Sequence, residues 1–291
     1  MDNWDEIRTA YQVARVGTVS GAAAEMGVHH ATVIRHIDAL EARLGVKLFQ
    51  RHARGYTTTE AGLDLLQVAQ VTDDQFTQLA GRIKGQGAGV SGELVVTSLG
   101  ALSQFLTPAL VSFQDTNPDI RVRYLTGDRL FRLEYGEAHV AIRAGTMPDQ
   151  PDNVVQPFMN MRVKLVASDA YIAKHGLPKD EADLVNHWFV AQDSVTSRAP
   201  FNQWLRTVVG EDRIVFRTTG NRNIARAVVA GAGIGFLSEF EVECHEGLRE
   251  VFPSCDDWSG PLWLVTHVDL HRTPKVQAVL AHLKSAAAAQ V

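Results

Sequence analysis

The chain reads as two unlike parts: a small helical module with a two-stranded wing, continued by one long helix, and then a larger α/β region. Three observations predict this division. Residues 17–62 have the pattern of a short helix, a tight turn, a second helix and two short strands. Apolar residues then recur every three or four positions as far as about Lys84, where glycines crowd the chain. From Glu93 onward strand-like and helix-like runs alternate.

Composition bounds the reading. At 291 residues there is room for two or three domains, and 45% hydrophobic with 21% charged residues is ordinary for a soluble globular protein. A net charge of −5 excludes a chain that coats nucleic acid indiscriminately, and it leaves room for a local basic patch. Cys244 and Cys255 are too few for a disulfide framework. The acidic N-terminus lacks the basic start and apolar core of a signal peptide. Both features point to the cytoplasm. The most apolar run, 225–237, is too short and too rich in glycine to span a bilayer, so no membrane is expected.

In the first helix Ile7, Ala10, Tyr11 and Ala14 share a face, and Gly17 stops it. Ser20 is the expected N-cap of the second helix. Ala22, Ala23 and Ala24 keep that helix thin, and Gly27 ends it. The third helix is expected from His30 to Leu44, with Val33, Ile37, Leu40 and Leu44 as its buried stripe. Its other face shows His29, His30, Thr32, Arg35 and His36, rich in donors and poor in large apolar groups. Strands at 46–51 and 56–59 form the wing, with a turn at 52–55. The module therefore fits a winged helix-turn-helix, the helix-turn-helix lying at about 19–38.

Between residues 29 and 55 five cations (Arg35, Arg43, Lys47, Arg51, Arg54) face two anions (Asp38, Glu41), a net +3. Arg35, Arg51 and Arg54 are expected on phosphates and His29, His30 and Thr32 on base edges. Ser20 and His36 complete the set of candidate DNA contacts. Thr59 is the expected N-cap of the long helix, whose stripe is Leu65, Val68, Thr72, Phe76, Leu79 and Ile83. Five glycines between 81 and 92 predict a hinge, with a domain boundary near residue 88.

In the α/β region strands are expected at 93–98, 120–126, 140–143, 163–167, 189–191, 214–218, 234–237 and 262–266, in parallel sheets. Helices are expected at 102–117 and 274–287. Ligands of open α/β sheets sit beyond the carboxyl ends of strands. That rule selects Ser98, Leu99 and Gly100, then Thr126, Arg143, Asp193 and Asn221. Arg143 is suited to a bidentate carboxylate.

The segment GTVSGAAAEMGV, the run ATVIRHIDALEARLGVKLFQR and the TTEAG that follows resemble the DNA-binding domain of LysR-type transcriptional regulators. His29, His30 and Ala31 depart from the Ser-Gln-Pro common there, and Ile34 stands where a Ser is common. SDAYIAKHGLP, VVAGAGIGFLSEF and PLWLVTHVDLHRTPKVQAV resemble the same family's effector-binding domain. The resemblance implies a periplasmic-binding-protein-like fold of two subdomains. It divides the chain into a DNA-binding domain at 1–60, a linker helix and hinge at 59–88 and an effector-binding domain at 92–291. Subdomain I would comprise 92–160 and 267–291, and subdomain II 161–266. It further implies a homodimer or homotetramer paired through the linker helix, an inverted-repeat duplex operator and a small effector between the subdomains, which Arg143, Ser98 and Asn221 suit to an anion.

Other chemistry finds no support in the sequence. GAGIG at 231–235 lacks the third glycine of a dinucleotide loop and lies between a helix and a strand in the wrong order. There is no phosphate loop and no GxSxG elbow. The histidines and cysteines share no recognised metal spacing, so no metal, cofactor or enzymatic activity is expected. The rival reading is a small-molecule-binding module whose N-terminal part only assembles subunits.

Overall fold

The computed structural model describes residues 3–52, 55–83, 90–127, 129–194 and 197–290. Helices α1 (Trp4–Val16), α2 (Val19–Met26) and α3 (His30–Leu44) precede the wing strands β1 (Phe49–His52) and β2 (Gly55–Thr58). The three helices close over Ile7, Ala10, Val13, Val19, Ala22, Val33, Ile37 and Leu40. Leu48 and Phe49 seal this core from the wing side. Gly27 takes φ 65° and Gly45 φ 70°, left-handed C-caps that let each helix stop and turn at once.

Two local expectations are corrected. The N-cap of α2 is Thr18, whose hydroxyl accepts the Gly21 N–H at 3.2 Å; Ser20 lies inside the helix and is exposed. Leu44 is exposed rather than part of the buried stripe. Glu41 takes the buried place, because the chain leaving α3 folds its Leu48 and Phe49 N–H groups back onto that carboxylate.

Helix α4 (Glu60–Ile83) begins, as expected, at a Thr59 cap, with the Gly62 N–H on Thr59 Oγ1 at 3.2 Å. On its stripe Leu65 packs on the core of the module and the Phe76 ring meets Trp4 edge-on at 5.8 Å, yet Val68 and Phe76 are still 65% and 54% exposed. The expected hinge and the boundary near 88 fall at 84–89, outside the described residues. Among the described residues no helix is long and apolar enough to cross a membrane.

The α/β region runs β3 (Gly92–Ser98), α5 (Ser103–Thr116), β4 (Ile120–Thr126), β5 (Val140–Ala144) and β6 (Asn153–Met161), then β7 (Val163–Ser168), α6 (Asp169–His175) and β8 (Phe189–Gln192). It continues through α7 (Pro200–Val208), β9 (Ile214–Thr218), α8 (Asn221–Val229), β10 (Ile234–Ser238), α9 (Glu239–Glu243) and β11 (Leu248–Glu250). It ends with β12 (Gly260–His267), α10 (Val268–His271) and α11 (Pro274–Ala288). Two five-stranded sheets result, ordered β4-β3-β5-β12-β6 and β11-β7-β10-β8-β9.

Both sheets are mixed rather than parallel throughout. β3 pairs parallel with β4 and β5, whereas β12 is antiparallel to β5 and β6. In the other sheet β8 is parallel to β9 and β10, and β7 is antiparallel to β10 and β11. The chain leaves the first sheet at Arg162, close to the expected place. It returns at Gly260 rather than near His267, because all of β12 is hydrogen-bonded into the first sheet. Two strands escaped the sequence reading: β6, which contains Pro157, and the three-residue β11. Both are edge strands, where proline and short length are tolerated.

Candidate nucleic-acid interface and ligand cleft

Helix α3 presents His29, His30, Ala31 and Arg35 to solvent, with Thr32 half-exposed. His29 is the N-cap by backbone position and makes no side-chain cap bond, so its ring remains available. His36 is corrected from the exposed face. Its Nδ1 lies 2.9 Å from Thr9 Oγ1, and that hydroxyl already donates to Asp5 O at 2.6 Å. The ring must therefore donate to the hydroxyl, tying α3 to α1.

The cations of this stretch divide sharply. Arg43 is paired with Glu6, and Arg51 with Asp38. Glu41, 3% exposed, takes Lys47 at 2.6 Å, Arg51 at 3.2 Å and the N–H groups of Leu48 and Phe49 at 3.0 and 3.2 Å. Burial pushes the Glu41 carboxyl up, but the Lys47 ammonium and the two N–H donors outweigh it and hold it below its ordinary value. Arg51 also lies over the Tyr56 ring, 5.4 Å from its centroid. Among the described residues of the 29–55 stretch, Arg35 is the cation without a carboxylate partner. Arg54 lies outside the described residues. The sequence signal for Glu41 was a carboxylate on the apolar side of α3, four residues beyond Ile37, which counting charge alone overlooks.

The second site is a cleft of about 1050 Å³ between the two sheets. β3 brings Ser98 and Leu99 to it, β5 brings Arg143, and the start of α8 brings Asn221. Gly100, Thr126 and Asp193 do not line it. Thr126 and Asp193 are exposed, and Asp193 spends its N–H on Thr218 O at 2.9 Å. Gly100 instead opens the turn into α5.

Ser98 is 3% exposed, and its hydroxyl is committed. It donates to Leu99 O at 2.9 Å and meets Tyr124 OH at 2.6 Å. Its one proton goes to the carbonyl, so the phenol donates to it. Burial raises the Tyr124 phenol above its ordinary value, against the lowering effect of Ser98, which keeps that proton in place at neutral pH.

Arg143 donates to Phe131 O at 3.1 Å and Gln150 Oε1 at 3.2 Å, both neutral acceptors. Burial lowers its guanidinium from the ordinary value, with Glu134 opposing at longer range. It remains charged at any physiological pH. Among the described residues no carboxylate stands at ion-pair distance from this half-buried cation, an arrangement suited to an anionic group. Opposite, Phe201, Phe236 and Trp258 of the second subdomain supply an apolar wall, the two phenylalanine centroids 5.4 Å apart. No local pattern marked this wall, since its residues come from α7, β10 and the turn before β12.

Two family models match the chain. One, described as "Bacterial regulatory helix-turn-helix protein, lysR family", matches residues 4–63, and the other, "LysR substrate binding domain", matches 87–288. The chain is 30% identical over 245 residues to the HTH-type transcriptional regulator IlvY of Escherichia coli, covering 82% of each protein. It is 26% identical over 248 residues to the HTH-type transcriptional regulator CrgA of Neisseria meningitidis serogroup C, covering 83% of this chain and 81% of that one. Among solved structures, ArgP from Mycobacterium tuberculosis aligns with a TM-score of 0.68 at 19% identity, over 99% of this chain and 98% of that one. Full-length CbnR in complex with its target DNA aligns with a TM-score of 0.60 at 18% identity, over 98% and 99%. These two likenesses concern the fold.

Proposed function

The chain belongs to the LysR family of transcriptional regulators, and from that premise we propose that the exposed face of α3 reads the major groove of an inverted-repeat operator. His29, His30 and Thr32 address base edges; Arg35 addresses phosphate, with Ser20, Arg51 and Arg54 flanking it. The observation that carries this reading is the selective absence of partners on that face. Among the described residues Arg43, Lys47 and Arg51 meet carboxylates of their own domain, while His29, His30 and Arg35 meet none.

Two subunits pair through the exposed part of the α4 stripe, Val68, Phe76 and Leu79, placing two recognition helices on two half-sites. A small organic anion held by Arg143, with Leu99 and Asn221 beside it, favours one closure of the cleft and so changes how subunits pack. The change in DNA affinity follows as a population shift. Such a protein acts where the bacterial chromosome lies, in the cytoplasm.

Footprinting of the purified protein on its own promoter region at low and moderate salt tests this reading. The expected result is protection of two dyad-related half-sites. A protein that assembles but retards and protects no DNA supports the rival reading, in which the N-terminal module serves assembly alone.

A further inference from the structure

The two loops that hold Arg143 also carry apolar side chains into the cleft. Leu130 precedes Phe131, whose carbonyl accepts from Arg143. Met147 lies three residues before Gln150, the other acceptor. Leu130 and Met147 line the cleft while 67% and 58% exposed. The cation is thus seated between two apolar side chains that water still reaches.

On the second subdomain Phe201 is the half-exposed member of the aromatic wall. Its ring rests on Phe236, which meets Trp258 edge-on at 5.0 Å, and both of these are buried. Leu205 and Ile224 extend the wall. A short path joins cation and wall. The Gly145 N–H donates to Pro261 O at 3.0 Å, two residues after Arg143 on one segment and three after Trp258 on the other.

The charges narrow the ligand further. Among the described residues the carboxylates lining the cleft are Asp149, which is exposed, and Glu241, which stands 3.5 Å from His245. Neither is at ion-pair distance from Arg143. An α-amino acid would bring its ammonium in beside that guanidinium, and two like charges in a half-buried place cost affinity. The apolar side chains favour a ring over an alkyl chain. Phe201 offers an aromatic face, and the Met147 thioether is a good neighbour for a ring edge.

We propose that this cleft takes an aryl carboxylate, its carboxylate on Arg143 and its ring between Leu130 and Met147 on one subdomain and Phe201 on the other. The assignment rests on the reading of Arg143 as an anion site. It adds Phe201 as the residue that selects the body of the ligand.

Calorimetric titration of the full-length protein tests it with matched probes. Hydrocinnamate should bind about thirtyfold tighter than propionate, which keeps the carboxylate and lacks the ring. It should bind about tenfold tighter than L-phenylalanine, which adds the ammonium, and about threefold tighter than cyclohexylpropionate, which has the bulk without the aromatic face. Phe201→Ala should weaken hydrocinnamate about tenfold, and Phe201→Leu, which keeps an apolar side chain of similar bulk, about threefold. Any of the three other probes binding as tightly as hydrocinnamate, or unchanged affinity in Phe201→Ala, overturns the aryl class. If that happens while Arg143→Ala still weakens propionate or L-phenylalanine, the anion reading stands without it. Hydrocinnamate that binds wild type and Arg143→Ala alike overturns the anion reading and the aryl class with it, as does the absence of heat from every probe.

Discussion

Arg51 in the N-terminal module and Arg143 in the C-terminal cleft are treated in opposite ways. In the module Arg15, Arg43 and Arg51 each meet a carboxylate of the same domain, and Glu41 gathers Lys47 and Arg51 together. In the cleft Arg143 is held by a carbonyl and an amide oxygen, neither of which cancels its charge. The contrast teaches where an anion is wanted. Net charge along a stretch is a poor guide, since the +3 between residues 29 and 55 says nothing of which cation is paired and takes no account of Glu6, which meets Arg43 from outside the stretch. A cation without a carboxylate on a polar helix face or in a cleft is the better mark, and Arg35 on α3 and Arg143 in the cleft are two such residues.

The largest expected effect breaks the module side of this contrast. Glu41→Ala strands the buried N–H groups of Leu48 and Phe49, while Arg51 keeps Asp38 and Lys47 turns to water, and should destabilise the module by about 3 kcal/mol, read from chemical unfolding. The pH dependence has a fixed sign. Glu41 is held below its ordinary value of 4.5, so its contribution is intact above that pH and is lost as pH falls through the lowered native value. Wild-type stability should therefore fall with acid more steeply than that of Glu41→Gln.

Next is the cleft. Arg143→Ala should weaken binding of a small carboxylate ligand by about thirtyfold, or about 2 kcal/mol, in calorimetric titration, with little change in unfolding temperature. Equal heats for variant and wild type would remove Arg143 from the site.

Replacing His29 and His30 with alanine should cost about 1–3 kcal/mol of discrimination between the operator and single-base mismatches, measured by competition binding. Retained base preference would return the reading of bases to Thr32 and the wing. The smallest effects separate the free arginine from the paired one. Arg35→Ala should lower the salt slope of DNA binding by about one, uniformly across sequences. Asp38→Asn leaves Arg51 with Glu41 as its remaining carboxylate and should strengthen binding by less than about 1 kcal/mol. If Asp38→Asn weakens binding, the Arg51–Asp38 pair orients the wing rather than masking a charge.

Much of the module was legible because its signals are local. Gly17, Gly27 and Gly45 end three helices where expected, and Thr59 caps the fourth. The misreadings there concern residues whose role depends on a distant partner. His36 is claimed by Thr9, 27 positions away, and Arg51 by Asp38, 13 positions away. Choosing Ser20 over Thr18 as the cap was a slip of two residues, decided by which hydroxyl precedes the first helical turn.

The α/β region shows the same division at larger scale. Of the strand-end residues, Ser98, Leu99, Arg143 and Asn221 line the cleft, whereas Gly100, Thr126 and Asp193 do not. A strand's carboxyl end is visible in sequence, but which ends face one another depends on sheet order.

The amino-acid sequence by itself determined the elements: helix periodicity, glycine stops, the polar face of α3 and the alternation of strands with helices all arise from neighbours within a few residues. Only the tertiary structure decided the pairings. It returned β12 to the first sheet, buried Glu41 beneath the wing, set Tyr124 on Ser98 and faced Phe236 toward Arg143's cleft. Local conformation follows from short-range sterics and hydrogen bonding. Charge compensation and cleft shape follow from packing, which brings together residues that no spacing in the chain connects.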